Sequence, residues 1–309
     1  MPENTLYDVA IVGYGPAGMT AAIYAARKKL KVALIGEHKG GEVTNSGEIE
    51  NWPGDGQTDG ITLAEKFAAH LKLHTDDVAI KEERVEKITK DADSFFSLAA
   101  GATTYRAKTV IYSTGRHPRL LHVPGEEEFK NRGITYCATC DAPLFRGKDV
   151  AVVGGGNSGA EAVIMLQRIA KKIHLLHIDD ALRADQVLIN NFSSDPNVQI
   201  LLNAKTTQIE GEKAVQKLTY QDKDGATHSL AVQGVFVTIG SIPNTEPVKD
   251  LLKLDRFGAI PADRYGKTDL PGFFAAGDVT DIRDAQIVVA AGHGCSAALS
   301  AGDYLSRHA

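Results

Sequence analysis

The chain has 309 residues, 43% apolar and 24% charged, with 34 basic against 39 acidic side chains and a net charge of −5. That length fits about two domains, each able to bury its own core, and the composition is that of an ordered globular protein. There is no overall basic excess to recruit nucleic acid or an anionic membrane, and three cysteines cannot form the framework of a small secreted scaffold. Residues 1–8 lack the basic start and apolar core of a signal peptide, and no apolar run reaches the roughly 18–20 residues of a membrane span. A cytoplasmic location is therefore expected.

In chain order, the first informative stretch is the apolar strand Asp8–Val12, followed by Gly13-Tyr-Gly15-Pro-Ala-Gly18. Met19, Ala22, Ile23 and Ala26 then fall on one face of a helix. A second apolar strand, 31–35, leads to Glu37, 19 residues after Gly18, near where a dinucleotide fold places the acid that holds a ribose. An alternating, turn-broken stretch follows over 85–105, and the apolar strand 110–115 ends in Gly115.

The same order returns downstream. Val150–Val153 leads into Gly154-Gly-Gly156-Asn-Ser-Gly159, and Ala162, Met165, Leu166 and Ile169 form a helical face. The strand 173–177 precedes Asp179, 20 residues after Gly159, and a second alternating stretch (207–232) leads to the strand 235–240. One glycine-rich turn is weak evidence; two full strand–loop–helix–strand–acid units are strong evidence. In each, the glycines let backbone approach a pyrophosphate, while the helix N-terminus offers free N–H groups and a positive dipole end. The expectation is an α/β fold with two Rossmann-like dinucleotide-binding domains.

Cys137-Ala-Thr-Cys140-Asp141 lies just before the second unit. A zinc site needs four ligands, usually from paired half-sites, so no metal is expected. A structural disulfide is disfavoured in a chain without an export signal. A redox dithiol fits best, because CxxC geometry lowers a thiol pKa and keeps the disulfide exchangeable. Cys295 reads as a small buried packing residue. The run Glu126-Glu127-Glu128 reads as acidic surface, and His117, His122 and His293 as loop or packing residues. Arg116, Arg119 and Arg132 flank the cysteine segment.

Several stretches together carry a family resemblance. They are 13–18, Gly-Gly-Glu at 40–42, Glu-Asn-Trp-Pro at 50–53, Thr-Tyr-Cys-Ala-Thr-Cys-Asp at 135–141 and Gly-Gly-Gly-Asn-Ser-Gly-Ala-Glu at 154–161. Ala-Asp-Gln-Val-Leu at 184–188, Pro-Asn at 243–244 and Ala-Ala-Gly-Asp-Val at 275–279 complete the set. From end to end the chain resembles low-molecular-weight thioredoxin reductases, and it is similar again to the reductase part of the flavoprotein subunit of alkyl hydroperoxide reductase.

The resemblance implies a discontinuous FAD domain (1–115 and 244–309) with a pyridine-nucleotide domain (116–243) inserted into it and carrying the cysteines. It places FAD on Gly13, Gly15, Pro16, Ala17, Glu37, Gly40, Gly41, Glu42, Asn51, Gly115, Asp278, Gln286 and Ile287. It places NADH or NADPH on Gly154, Gly156, Asn157, Ser158, Asp179 and Arg183. Cys140 would face the flavin, Cys137 would attack the partner disulfide, and Asp141 would be the acid–base group. The implied partner is thioredoxin or a thioredoxin-like protein, and the implied assembly a homodimer. The first strand begins at residue 8, so the acceptor is expected to be a separate protein. A hinge is expected near 114–117 and 240–244, since one arrangement cannot serve flavin, nicotinamide and protein partner.

Three positions depart from the family pattern. A His-Arg-Arg run followed by a further Arg, which clamps the 2′-phosphate of NADPH, is here His177-Ile178-Asp179 with Arg183. A carboxylate ~4 Å from a phosphate costs up to ~4 kcal/mol at an effective dielectric of ~20, and about 1–2 kcal/mol once screened. NADH is therefore favoured. Ala285 replaces an arginine near the flavin and Glu42 a glutamine. Together these changes keep open a ferredoxin or second flavin as donor, an oxygen-dependent dithiol oxidase, or a non-enzymatic flavin-binding redox sensor.

Overall fold

A computed structural model describes residues 5–308, which divide into two compact units, 5–117 with 242–308 and 118–241. In the first unit the strand Leu6–Val12 is almost wholly buried, as a central parallel strand must be. It pairs in parallel with Val32–Ile35 on one side and Thr103–Tyr112 on the other, so that Val12 stands opposite both Ile35 and Tyr112. Val78–Lys81 extends the sheet beyond Val32–Ile35. The ten-residue strand Thr103–Tyr112 divides its outer edge. Its first half pairs antiparallel with Phe96–Ala100, which continues to Lys87–Lys90, and its second half pairs in parallel with Phe273–Ala275.

The helix Pro16–Arg27 buries the expected face, Met19, Ala22, Ile23 and Ala26, against Val9 and Ile11. It buries Ala21 and Ala25 as well, because the helix Ile287–Arg307 packs along it. That contact is a seam of small residues. A methyl group on Gly294 would stand 2.1 Å from the carbonyl oxygen of Ala17. The other side of the sheet is covered by a core built around Phe96, Tyr112, Phe273, Val248 and Leu252.

The second unit contains a five-stranded parallel sheet in the order Ile134–Thr135, Gly234–Val237, Asp149–Val153, Lys172–Leu176, Val198–Leu201. The helix Asn157–Leu166 covers one face, with Ala162, Val163 and Leu166 packed on Val150, Val152 and Phe236. It is shorter than the sequence pattern predicts. The chain leaves the helix after Leu166, and Ile169 reaches the same core from a turn in which Ile169 and Ala170 both donate to the Leu166 carbonyl. An antiparallel ribbon, Lys205–Gly211, Val215–Gln221 and Thr227–Ala231, packs its apolar residues on the other core. The chain passes between the units at 117/118 and 241/242 through two short paired strands, Arg116–Pro118 and Ser241–Pro243. Gly115 and Gly240, with φ of +67° and +99°, lie beside them.

Candidate active site

In the first unit the strand Leu6–Val12 runs into the loop 13–15, and Pro16 opens the helix. Gly13 has φ +113°, and a Cβ there would lie 2.3 Å from the Ser113 carbonyl oxygen. A Cβ on Gly18 would meet the Gly13 carbonyl at 1.9 Å, so this glycine is what lets the helix start against the strand end. Gly15, at the N-cap, has no side chain to satisfy the first-turn N–H groups, which are left for a ligand.

A second turn, Gly40–Gly41, stands beside this loop. Gly40 N–H donates to the Tyr14 carbonyl, and a Cβ on Gly41 would lie 3.3 Å from Gly15 Cα. Glu42 follows on the 3-10 turn Gly41–Asn45 and accepts from Asn45 Nδ2 at 3.1 Å. Glu37 is exposed just past its strand, 3.7 Å from the His38 ring. The unit also brings Asn51 to Gln286, at 3.3 Å, where Gln286 precedes the helix that Ile287 begins. Gly115 accepts the Asn244 N–H at 3.0 Å.

Asp278 is the most informative residue here. Its Oδ1 is buried and meets no hydrogen-bond partner among the described residues. Burial pushes its carboxyl above the usual range, opposed by Arg116 and reinforced by Glu42. A buried, unmatched acceptor beside an open helix start fits a hydroxyl-bearing dinucleotide such as FAD.

In the second unit Gly154 (φ +125°) and Gly159 repeat the constraints, against the Thr238 carbonyl at 2.5 Å and the Gly154 carbonyl at 1.8 Å. Gly156 is the N-cap, and Ser158 is exposed on the first turn. Asn157 is held by Asp185, whose N–H and carboxylate bond its amide at 2.8 and 2.9 Å. The segment after the strand wraps the loop. His177 Nδ1 accepts the Gly155 N–H at 3.1 Å, while the Gly155 carbonyl accepts from Arg183 and Ala184. A neutral His177 therefore carries its proton on Nε2, which lies 3.2 Å from Asp179 Oδ2. Arg183 Nη2 reaches the same oxygen at 2.7 Å.

Strand register shows that Asp179 is not the positional counterpart of Glu37. Gly13 bonds to Ile35 and Gly154 to Leu176, so Glu37 corresponds to Ile178, which is 60% exposed. Asp179 lies one residue further on, paired to His177 and Arg183.

Cys137 and Cys140 form a disulfide, with Cα atoms 5.3 Å apart, at the start of the one-turn helix Ala138–Asp141. Cys140 N–H points at Cys137 Sγ, 3.2 Å away. Asp141 is mostly buried, which raises its carboxyl above the usual range, while a hydrogen bond from the Thr135 hydroxyl opposes the rise. A carboxyl so tuned, beside a disulfide, can take and give a proton when thiolates form or are protonated.

Several weaker sequence readings change. Glu126 is not surface: it is 4% exposed and accepts from Leu121 N–H, His122 N–H and the Tyr136 hydroxyl at 2.7–3.0 Å. Cys295 is only half-buried, beside Tyr24. Arg116 directs its guanidinium to the Asp278 and Thr280 carbonyls. His70 and His74 stand near each other, yet among the described residues no group of three or more His, Cys, Asp or Glu gathers as for a metal. No described helix is long and apolar enough to cross a membrane. Sequence reasoning missed the roles of Thr135 and His177. The only available signal was their place, two residues before Cys137 and directly after a strand of the nucleotide unit.

The sequence pattern of the pyridine nucleotide-disulphide oxidoreductase family matches residues 7–294. The thioredoxin reductase of Streptococcus pyogenes is 39% identical with a TM-score of 0.93, over 98% of this chain and 99% of that one. A Bacillus subtilis protein named NADH dehydrogenase is 44% identical over 98% of this chain and 59% of its own length. A subunit of the alkyl hydroperoxide reductase of Staphylococcus aureus is 43% identical over 98% of this chain and 60% of its own length. The chain thus spans about three-fifths of the length of these two relatives. It belongs to the pyridine nucleotide-disulphide oxidoreductase family, as a thioredoxin-reductase-like member.

Proposed function

We propose that the chain is an FAD-dependent disulfide reductase that takes electrons from NADH in preference to NADPH. It delivers them through Cys137 and Cys140 to thioredoxin or a thioredoxin-like protein, acting as a cytoplasmic homodimer. The observation that carries this reading is the Cys137–Cys140 disulfide, with Asp141 beside it, in a unit that also holds a complete dinucleotide loop.

FAD is held by Gly13, Gly15, Pro16, Ala17, Glu37, Gly40, Gly41, Glu42, Asn51, Gly115, Asp278, Gln286 and Ile287. When bound it supplies two-electron transfer between nicotinamide and disulfide. The nucleotide is held by Gly154, Gly156, Asn157, Ser158, Asp179 and Arg183. In the reduced protein the Cys137 thiolate attacks the partner disulfide, giving a mixed disulfide and a partner thiolate, which is protonated. Cys140 then loses its proton, attacks the Cys137 sulfur and expels the second partner thiolate. Two electrons and two protons pass to the partner, and Asp141 carries the proton at the cysteines. The Cys140 N–H aimed at Cys137 Sγ supports Cys137 as the attacking thiolate.

The preference for NADH is supported by the fate of the one remaining arginine. Arg183 is already paired with Asp179, and Ile178 offers no charge, so a 2′-phosphate would have to break an ion pair. The test is anaerobic titration of the flavin with NADH and NADPH, followed by steady-state turnover on a disulfide partner. NADH should bleach the flavin rapidly and give kcat/KM several-fold above NADPH, with the gap closing in Ile178→Arg/Asp179→Arg. Cys137→Ser and Cys140→Ser should keep the bleaching and lose all disulfide turnover, and Cys295→Ser should keep both. Bleaching by dithiol alone would replace this reading with an oxidase, slow bleaching without turnover with a sensor, and no bleaching by either nucleotide with another donor.

A further inference from the structure

Thr135 ends the short strand Ile134–Thr135, which pairs with Val235 and Phe236, and it is 5% exposed. Its hydroxyl oxygen accepts the Cys137 N–H at 3.1 Å and bonds the Asp141 carboxylate, with the Cys137 carbonyl 3.5 Å away as an alternative acceptor. The same Cys137 carbonyl accepts the Asp141 N–H at 3.1 Å. One hydroxyl thus ties the main chain of one cysteine to the carboxyl next to the other.

We propose that Thr135 is the positioning residue of the dithiol site, fixing Asp141 against the Cys137 main chain in both protonation states of the carboxyl. This role rests on Asp141 being the acid–base group of the exchange. Donors and acceptors match in both states. With Asp141 ionised, the hydroxyl donates to the carboxylate. With Asp141 protonated, the carboxylic O–H donates to the hydroxyl oxygen, and the hydroxyl proton turns to the Cys137 carbonyl. In either state the Cys137 N–H keeps its acceptor, and no member of the cluster is left unmatched. Any residue without a hydroxyl leaves a buried N–H orphaned and Asp141 free to turn. Burial raises the Asp141 carboxyl, and the bond from Thr135 is what restrains that rise.

The test uses the full chain loaded with FAD, in Thr135→Val, Thr135→Ser and Asp141→Asn. Two pH profiles are measured: turnover on a protein disulfide, and alkylation of the pre-reduced cysteines by iodoacetamide. Thr135→Val should slow turnover by about tenfold and move the carboxyl-dependent limb of both profiles to higher pH. Flavin content, nicotinamide bleaching and KM for nucleotide should stay unchanged, and Thr135→Ser should restore wild-type profiles. If Thr135→Val does not yield folded flavoprotein, Thr135→Ala removes the hydroxyl without branching and carries the same expectation. Wild-type profiles in Thr135→Val or Thr135→Ala, while Asp141→Asn alters them, would overturn the positioning role. Wild-type profiles in Asp141→Asn would instead show that the acid–base reading itself is wrong.

Discussion

The two glycine loops solve one packing problem with the large and small partners exchanged. In the first unit the middle loop residue is Tyr14 and the residue after the neighbouring strand is Gly36, where a Cβ would lie 2.8 Å from Tyr14 Cβ. In the second, the middle loop residue is Gly155 and the residue after the strand is His177, whose ring lies 2.6 Å from where a Gly155 Cβ would be. Either way one side chain fills the space between loop and strand end. The exchange has a chemical result. Tyr14 gives the first unit a filler that leaves Glu37 exposed, whereas His177 holds the second loop by hydrogen bond and brings Asp179 and Arg183 together. Equal spacing in sequence therefore does not mean an equal state of the acid.

The largest effects should come from the constraint the loops share. Gly18→Ala and Gly159→Ala each drive a methyl group into a carbonyl oxygen that cannot yield, at a cost of about 1–3 kcal/mol or more. Gly18→Ala should lose flavin, read by visible absorbance of the purified protein. Gly159→Ala should keep flavin and lose nicotinamide-dependent bleaching. Loss of both in both variants would mean that the loops do not serve separate ligands.

A smaller effect tests the exchange itself. Gly155→Ala should destabilise the chain by about 1–3 kcal/mol through His177 and Leu182, and His177→Gly should recover much of that loss in the double variant. Urea unfolding of the four-member cycle measures the coupling. Additive effects would show that ring and loop do not compete for the same space.

Much of this fold is readable in the sequence because it rests on periodicity and on glycines placed where backbone meets backbone. Both loops, both helical faces and the cysteine pair follow from such local signals. The Tyr14/Gly36 and Gly155/His177 exchange does not, because it depends on strand register, which pairs residues about 22 apart. The same register separates Glu37 from Asp179, which counting from the last glycine places together. The neighbours Glu127 and Glu128 make Glu126 look like surface, yet its burial depends on two main-chain donors and a distant tyrosine hydroxyl. Thr135 looks like an ordinary strand residue until the turn brings Asp141 back to it.

The smallest effect compares one buried histidine from each unit. Burial holds His293 in the first and His174 in the second below the ordinary value of 6.5. Between the folded value and 6.5 the unfolded chain binds more protons, so stability rises with pH across that window and is lost as pH falls through it. Unfolding midpoints at pH 5 and pH 7.5 should differ less in His293→Gln and His174→Gln than in the parent. An unchanged difference in one of them would remove that unit's histidine as a source of the pH dependence.

The strand Phe273–Ala275 and the helix Ile287–Arg307 complete a sheet and a core whose other members are made before residue 113. Residues 118–241 need no such late arrivals, since their sheet and both their cores are contiguous in the chain. During synthesis from the N-terminus, the second unit therefore has all its parts before the first does. The first strands must wait as an open sheet, with the outer edge of Thr103–Tyr112 unpaired over Val110–Tyr112. Birth order and folding order run opposite in this molecule, and flavin can be captured only after the longest wait.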